Sequence, residues 1–310
     1  MELSLFDLHC DTAYEAHRKL QSLRSNTLAV SFDGASRYRR YVQVMAIWTD
    51  HALSDGDGWN AYRSILKHLR SDPSLSEGVA RLCCSIGEID SDRIRLLLAV
   101  EDARILQNQI ARVDELFSDG VRILTPLWSG ESCIGGSHDT SVGLTAFGKA
   151  ALEKASRFGI LLDVSHASER SFEEILEISA QNSRPALATH SNAYALTPVS
   201  RNLKDWQIDR LIQHNGLIGI NLHVPFLTRK NGTATVTDVL AHIEYFLERG
   251  AMHHLALGGD LDGSTPPCEL DSVSKLYHLA DAMQKANYSD ELIHAIFFDN
   301  AHRFATTYIL

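Results

Sequence analysis

The segment Asp7-Leu-His9-Cys-Asp11 sets an imidazole and a carboxylate two positions apart. On a strand such residues face the same side, so His9 and Asp11 can hold one cation between them. Taken alone the pair is a weak signal, because a single hydrogen-bonded histidine at a strand end reads the same way. Asp7 is expected on that face one step deeper, as a partner for the His9 ring. Cys10 is expected on the other face, as a small packing residue. Further along, an apolar run at 96–100 ends in Glu101. A glutamate there is costly to bury unless it binds something, and a carboxylate can bridge two cations. The adjacent Asp102 should face away and cap a helix. Asp163-Val-Ser-His166 and Ala188-Thr-His190 each place one histidine after an apolar run. Two neutral imidazoles with a shared glutamate suit a borderline-soft ion such as zinc. In Gly258-Gly-Asp260-Leu-Asp262-Gly263 the glycines let backbone approach a ligand closely. One of these two aspartates can carry a proton to or from a reacting group.

These residues act together only if one architecture collects them. Each follows a short apolar run of the kind buried on both faces of a parallel sheet. The runs predict strands at 3–9, 41–48, 94–101, 121–128, 160–166, 186–190, 217–223 and 255–260. Helical spacing lies between them, as at 168–179, opened by Ser168, and at 236–249, with Val239, Leu240, Ile243 and Phe246 on one face. Gly120, Gly159, Gly216 and Gly250 stand where helix C-caps belong. Strand and helix alternating eight times predict an α/β fold, a (β/α)8 TIM-type barrel, as one domain over 1–310. Active sites in that fold are built from the C-terminal strand ends, where His9, Asp11, Glu101, His166, His190 and Asp260 all fall. The stretch 49–93 is long and irregular and is expected to hold two helices. An open doubly wound sheet is the structural alternative, but no G-x-G-x-x-G follows the first strand.

With 310 residues, 45% of them hydrophobic, the chain can bury a large core without disulfide or metal staples. Its formal net charge of -10 argues against nucleic acid as main partner. Cys10, Cys83, Cys84, Cys133 and Cys268 are odd in number and form no C-x-x-C pair, which reads as a reduced, cytoplasmic protein. No apolar run reaches the length of a membrane span, so no membrane association is expected.

Jointly the motifs are far more specific than singly, and the chain resembles the membrane (renal) dipeptidase family of zinc metallopeptidases, amidohydrolase-like barrels, as a bacterial-type member. The likeness runs from Asp7-Leu-His-Cys-Asp11 to Asn300-Ala-His-Arg303. It includes Gly143-Leu-Thr-Ala-Phe-Gly148, His190-Ser-Asn192, Ser200-Arg-Asn202 and Gly259-Asp-Leu-Asp-Gly263. The resemblance implies two divalent metal ions, zinc by family. His9, Asp11 and Glu101 would hold one, and Glu101, His166 and His190 the other. It makes Arg201 the binder of the substrate carboxylate and Asp260, rather than Asp262, the catalytic acid/base. The activity implied is cleavage of a dipeptide amide by a metal-activated water, with a D-residue accepted at the C-terminal position. A family histidine that supports the carbonyl oxygen falls at Trp128, a departure that makes Trp128 a candidate substrate-binding residue. His138 or His223 could take that histidine's place. No lipid anchor of the kind that animal relatives carry is expected, and a homodimer is compatible with the sequence. Two rival readings share most of these features. A hydrolase of N-acyl amino acids, lactones or phosphoesters would keep the metal ligands without needing Arg201. A non-catalytic metal- or partner-binding barrel would not need Asp260.

Overall fold

The computed structural model describes residues 2–53, 55–85, 94–229 and 232–309. Among the described residues nine parallel strands lie in one sheet: β1 (Leu5–Cys10), β2 (Tyr41–Ile47), β3 (Ala80–Cys83), β4 (Ile94–Glu101), β5 (Val121–Thr125), β6 (Leu161–Leu162), β7 (Leu187–Ala188), β8 (Leu217–Ile220) and β9 (Leu255–Leu257). Their order is β6-β5-β4-β2-β1-β9-β8-β7. The open edge between β6 and β7 is bridged where Asp163 pairs with Leu187 and the Val164 N–H reaches the Leu187 carbonyl at 2.8 Å. The eight predicted strands thus form a barrel, and the doubly wound alternative fails at this closure.

β3 has no counterpart in the expectation. It pairs with Ile94–Leu97, the lower half of one edge of β4, and β5 takes the upper half from Leu98 to Glu101. Only a strand as long as β4, with eight residues, can seat two neighbours end to end. The two helices expected in the same stretch are present as α3 (Asp55–Arg70) and α4 (Pro73–Ser76), after α1 (Thr12–Lys19) and α2 (Phe32–Ala35). Among the described residues the remaining α-helices are α5 (Arg112–Ser118), α6 (Ala146–Phe158), α7 (Glu169–Gln181), α8 (Asp205–Gln213), α9 (Val224–Leu227), α10 (Val236–Glu248), α11 (Tyr277–Lys285), α12 (Asp290–His294) and α13 (Asn300–Tyr308). Ser168 caps α7 by accepting the Ser171 N–H, as its position before the apolar spacing implied. Gly120, Gly159 and Gly250 adopt left-handed φ after helices, but Gly216 does not; Asn215 takes that conformation instead. Gly216 is required by closeness, since a Cβ there would lie 2.6 Å from the Ala186 carbonyl oxygen.

Two apolar layers follow from strand alternation. Phe6, Leu8, Val42, Val44, Leu97, Ala99 and Ile123 fill the barrel interior, closed at one end by Phe298, Ala301 and Phe304. Leu5, Met45, Ile47, Leu98 and Val100 face the helices. Strict alternation from Phe6 and Leu8 would turn Cys10 inward and His9 outward. A register shift in β1 between Asp7 and Cys10 reverses this. Cys10 packs outward with its Sγ 3.3 Å from Met45 Sδ, which frees His9 and Asp11 to face inward. No helix among the described residues is long and apolar enough to cross a membrane.

Candidate metal centre and active site

At the C-terminal strand ends the side chains converge. His9 Nε2 lies 3.4 Å from Asp11 Oδ2, 3.7 Å from Glu101 Oε2 and 4.0 Å from Asp260 Oδ1. The other Glu101 oxygen, Oε1, lies 3.0 Å from His166 Nε2 and 3.5 Å from His190 Nε2. Glu101 therefore turns one oxygen to each expected ligand set. Ligand atoms of His9, Glu101 and His190 lie within 4.8 Å of one another, as do those of His9, Asp11 and Asp260. His166 and Asp260 both hold left-handed backbone, at φ 66° and 54°. Asp and His are among the few side chains that tolerate that conformation, and here it sets the direction in which each leaves the backbone.

Hydrogen bonds decide which imidazole nitrogens face the centre. Asp163 accepts from both the Thr189 hydroxyl and the Thr125 hydroxyl, the latter at 2.7 Å. With its proton given to Asp163, the Thr189 Oγ1 can only accept from His190 Nδ1, 2.7 Å away. His166 Nδ1 likewise donates to the Trp128 carbonyl at 2.9 Å. Both protons thus sit on Nδ1, and both Nε2 lone pairs point inward. The two Nε2 atoms stand 3.0 Å apart with no proton between them, and Glu101 Oε1 lies beside both. Three lone pairs at that spacing call for a cation. The buried His9 ring tells the same story, because among the described residues neither of its nitrogens has a hydrogen-bond partner, and Asp11 Oδ1 has none either. The donor set of imidazoles and carboxylates fits zinc or a similar divalent ion.

The protein alone leaves this cluster electrostatically unbalanced. Burial pushes the Asp260 carboxyl up to about 8, with His9 opposing and Asp11 and Glu101 adding to the rise. Burial, with repulsion from Glu101, lifts Asp11 to about 6. Burial also lowers His190 well below the usual range, helped by His9 and Arg201. A bound cation would favour the charged forms of the carboxylates and keep the imidazoles neutral.

Arg201 and Trp128 join Asp11, Glu101, His166 and Asp260 on the wall of a cavity of about 400 Å³. Arg201 is buried; it donates to Ser191 Oγ at 3.1 Å and to the His190 carbonyl at 3.0 Å, and its Nε has no partner among the described residues. Trp128 packs against Trp48 and His51, with ring centroids 5.2 and 4.9 Å apart. His138 and His223 line the same cavity. His223 Nδ1 accepts from the Thr265 N–H at 3.1 Å, which leaves its proton on Nε2.

The two aspartates near Gly263 separate cleanly. Asp262 accepts from the Thr12 hydroxyl and from the Ala29 and Val30 N–H groups, so it ties loops together. Asp260 has one oxygen held by Asn221 Nδ2 at 3.1 Å and the other turned toward His9. The expectation for Asp7 needs correction. Its Oδ1 accepts backbone N–H groups of Gly259 and His9, not the His9 ring, because the β1 shift separates the two side chains. The reading of Gly258 changes too. A Cβ there would lie 1.7 Å from the Thr189 carbonyl oxygen, so it serves strand packing, whereas one on Gly263 would strike Asp11 Oδ2 at 1.9 Å. Asp102 does cap the turn after β4, accepting from the Arg104 N–H at 3.1 Å. Thr189 and Asn221 were missed as site residues. The signal available was a polar residue closing each of two apolar runs.

A parallel barrel whose strand ends gather imidazoles and carboxylates defines the class, a metal-dependent hydrolase. The particular family follows from comparison with known proteins. The chain belongs to the membrane dipeptidase family, peptidase family M19, whose model matches residues 1–307, and it is a metallopeptidase by that membership. An uncharacterised protein in the pqqA 5' region of Klebsiella pneumoniae is 32% identical over 245 residues, covering 74% of this chain and 88% of its own. A Rhodobacter sphaeroides metallopeptidase, crystallised with a phosphinate mimic of the dipeptide L-Ala-D-Ala, shares the fold at TM-score 0.91 and 23% identity over 100% of both chains. The metallopeptidase dipeptidase AC shares it at TM-score 0.91 and 24% identity, again over 100% of both chains.

Proposed function

We propose that this protein hydrolyses the amide bond of dipeptides bearing a free C-terminal carboxylate, using two divalent ions, zinc by ligand chemistry. His9, Asp11 and Glu101 would hold one ion and Glu101, His166 and His190 the other. When bound, such ions acidify a water toward neutral pH and polarise a carbonyl oxygen. The rest is done by the protein. Arg201 is the observation that carries the substrate reading. A buried guanidinium with an unpartnered Nε, beside the metal ligands, is a cation awaiting an anion. Seated there, the substrate carboxylate fixes the register of the amide against the metal ligands. Asp260, held by Asn221 and turned toward His9, takes the proton of the attacking water and delivers it to the leaving amine. Trp128 serves as an aromatic wall, and His223, with its proton on Nε2, can donate to the developing oxyanion. The crystallised Rhodobacter sphaeroides relative, bound to its dipeptide mimic, supports the same substrate class here.

The test is a substrate panel run with the zinc-loaded enzyme. It sets L,L, L,D and D,D dipeptides against their C-terminal amides, N-acyl amino acids, lactones and phosphoesters. Free dipeptides should be cleaved and their amides should be poor substrates. Arg201→Lys should lose nearly as much as Arg201→Ala, because a point charge cannot make the forked contact. Equal turnover of amides and free acids would refute the reading, and preference for a lactone or phosphoester would favour the rival hydrolase.

A further inference from the structure

The catalytic cavity has a neighbour. A second cavity, of about 360 Å³, adjoins the first at His138, His166 and Arg201, which line both. The two differ in chemistry. Tyr14, Trp48, Trp128 and Phe226 wall the first. The second is lined by hydroxyls and amides and by the charged side chains Glu169, Arg170 and Lys204. The buried Arg201, its Nε unpartnered, stands at the junction.

This placement constrains a bound dipeptide. The Cα carrying the carboxylate on Arg201 also carries the C-terminal side chain, so that side chain must leave from the junction. The first cavity holds the metal ligands and the scissile amide, and the second adjoins it at Arg201 itself. We propose that the second cavity is the subsite for the C-terminal side chain and that Lys204 makes it prefer an acidic side chain over a neutral or basic one. The proposal rests on the dipeptidase reading of the first cavity.

Charge supports the preference. Arg170, Lys204 and Glu169 are the charged side chains around the cavity besides Arg201, and Arg170 also lies 3.7 Å from Glu174. Lys204 Nζ pairs with Glu169 at 2.6 Å and lies 5.6 Å from the Tyr194 ring centroid. With Arg201 taken by the substrate's own terminal carboxylate, an incoming side-chain carboxylate can share Lys204 with Glu169, whereas an ammonium would have to displace Lys204 from Glu169. Lys204 is also a clean place to intervene. Its contact with the start of α8 is made by its backbone N–H, on Gln207 Oε1 at 2.9 Å, so replacing the side chain leaves that contact in place.

The experiment compares kcat/KM of the zinc-loaded enzyme on Ala-Glu, Ala-Gln and Ala-Lys, with the second residue in each configuration. The expected order is Glu, then Gln, then Lys. Lys204→Gln should lower the Glu/Gln ratio about fivefold, the scale of a partly exposed ion pair. Lys204→Glu should invert the Glu/Lys order. Calorimetric binding of phosphinate mimics of Ala-Glu and Ala-Gln gives the same ratio without turnover. If no dipeptide is cleaved while mimic binding keeps its dependence on Lys204, the hydrolytic reading fails and the subsite stands. Ratios that ignore both substitutions, in rates and in binding, overturn the subsite.

Discussion

Thr189 and the backbone of Trp128 do work that their side-chain types do not advertise. Each fixes the Nδ1 proton of a histidine and so offers Nε2 to the centre. For Trp128 the carbonyl performs this orienting task, so the ring is free to act as a wall. Trp128→Phe keeps the apolar face and the carbonyl but removes the indole N–H. We expect kcat within a few-fold of wild type and an altered side-chain preference. A uniform loss near 100-fold across substrates would instead make the indole the oxyanion donor, a contribution of about 2.7–4 kcal/mol. Asp260→Asn should cost about 100-fold or more in kcat, as expected for a lost acid/base, with metal content unchanged. Asp262→Asn should show itself in thermal stability, because its carboxylate ties Thr12, Ala29 and Val30. A larger rate loss in Asp262→Asn than in Asp260→Asn would reverse the assignment.

At the scale of the strand, the ends of β6 and β7 form one hydrogen-bonded unit. Asp163 joins Thr125 at the end of β5 to Thr189 after β7, and Thr189 holds His190. Thr189→Val preserves the shape but deletes both roles of the hydroxyl. Metal affinity, measured by chelator competition, should fall about 10- to 100-fold; unchanged affinity would mean that the relay does not orient His190. The barrel was legible in the sequence because each strand is a short apolar run buried on both faces, and because polar ligands are anomalous at such ends. Three features were not legible. The four residues of β3 carry no periodic signal of their own and depend on the spare edge of β4. The register shift in β1 is set by pairing with β2, not by the identity of any β1 residue, so Asp7 was placed beside the wrong part of His9. The hydrogen bonds of Asn221 depend on the distant Asp260 and His190.

Over the whole molecule, the fold and the metal centre are separate investments. Apolar layers inside and outside the barrel run its full circumference, while the ligands occupy one end. Metal removal should therefore leave far-ultraviolet circular dichroism nearly unchanged, and lower Tm only by the lost binding free energy. Unfolding on chelation would instead place the metal in the core of the fold. The most direct test is a metal titration. Protein stripped by a chelator is given zinc in steps, and hydrolysis of a free dipeptide is followed at each step. We predict no turnover in the stripped protein and a rate that saturates at about two equivalents per chain. Full activity in the metal-free protein, or saturation at about one equivalent, would contradict a centre in which Glu101 links two ions.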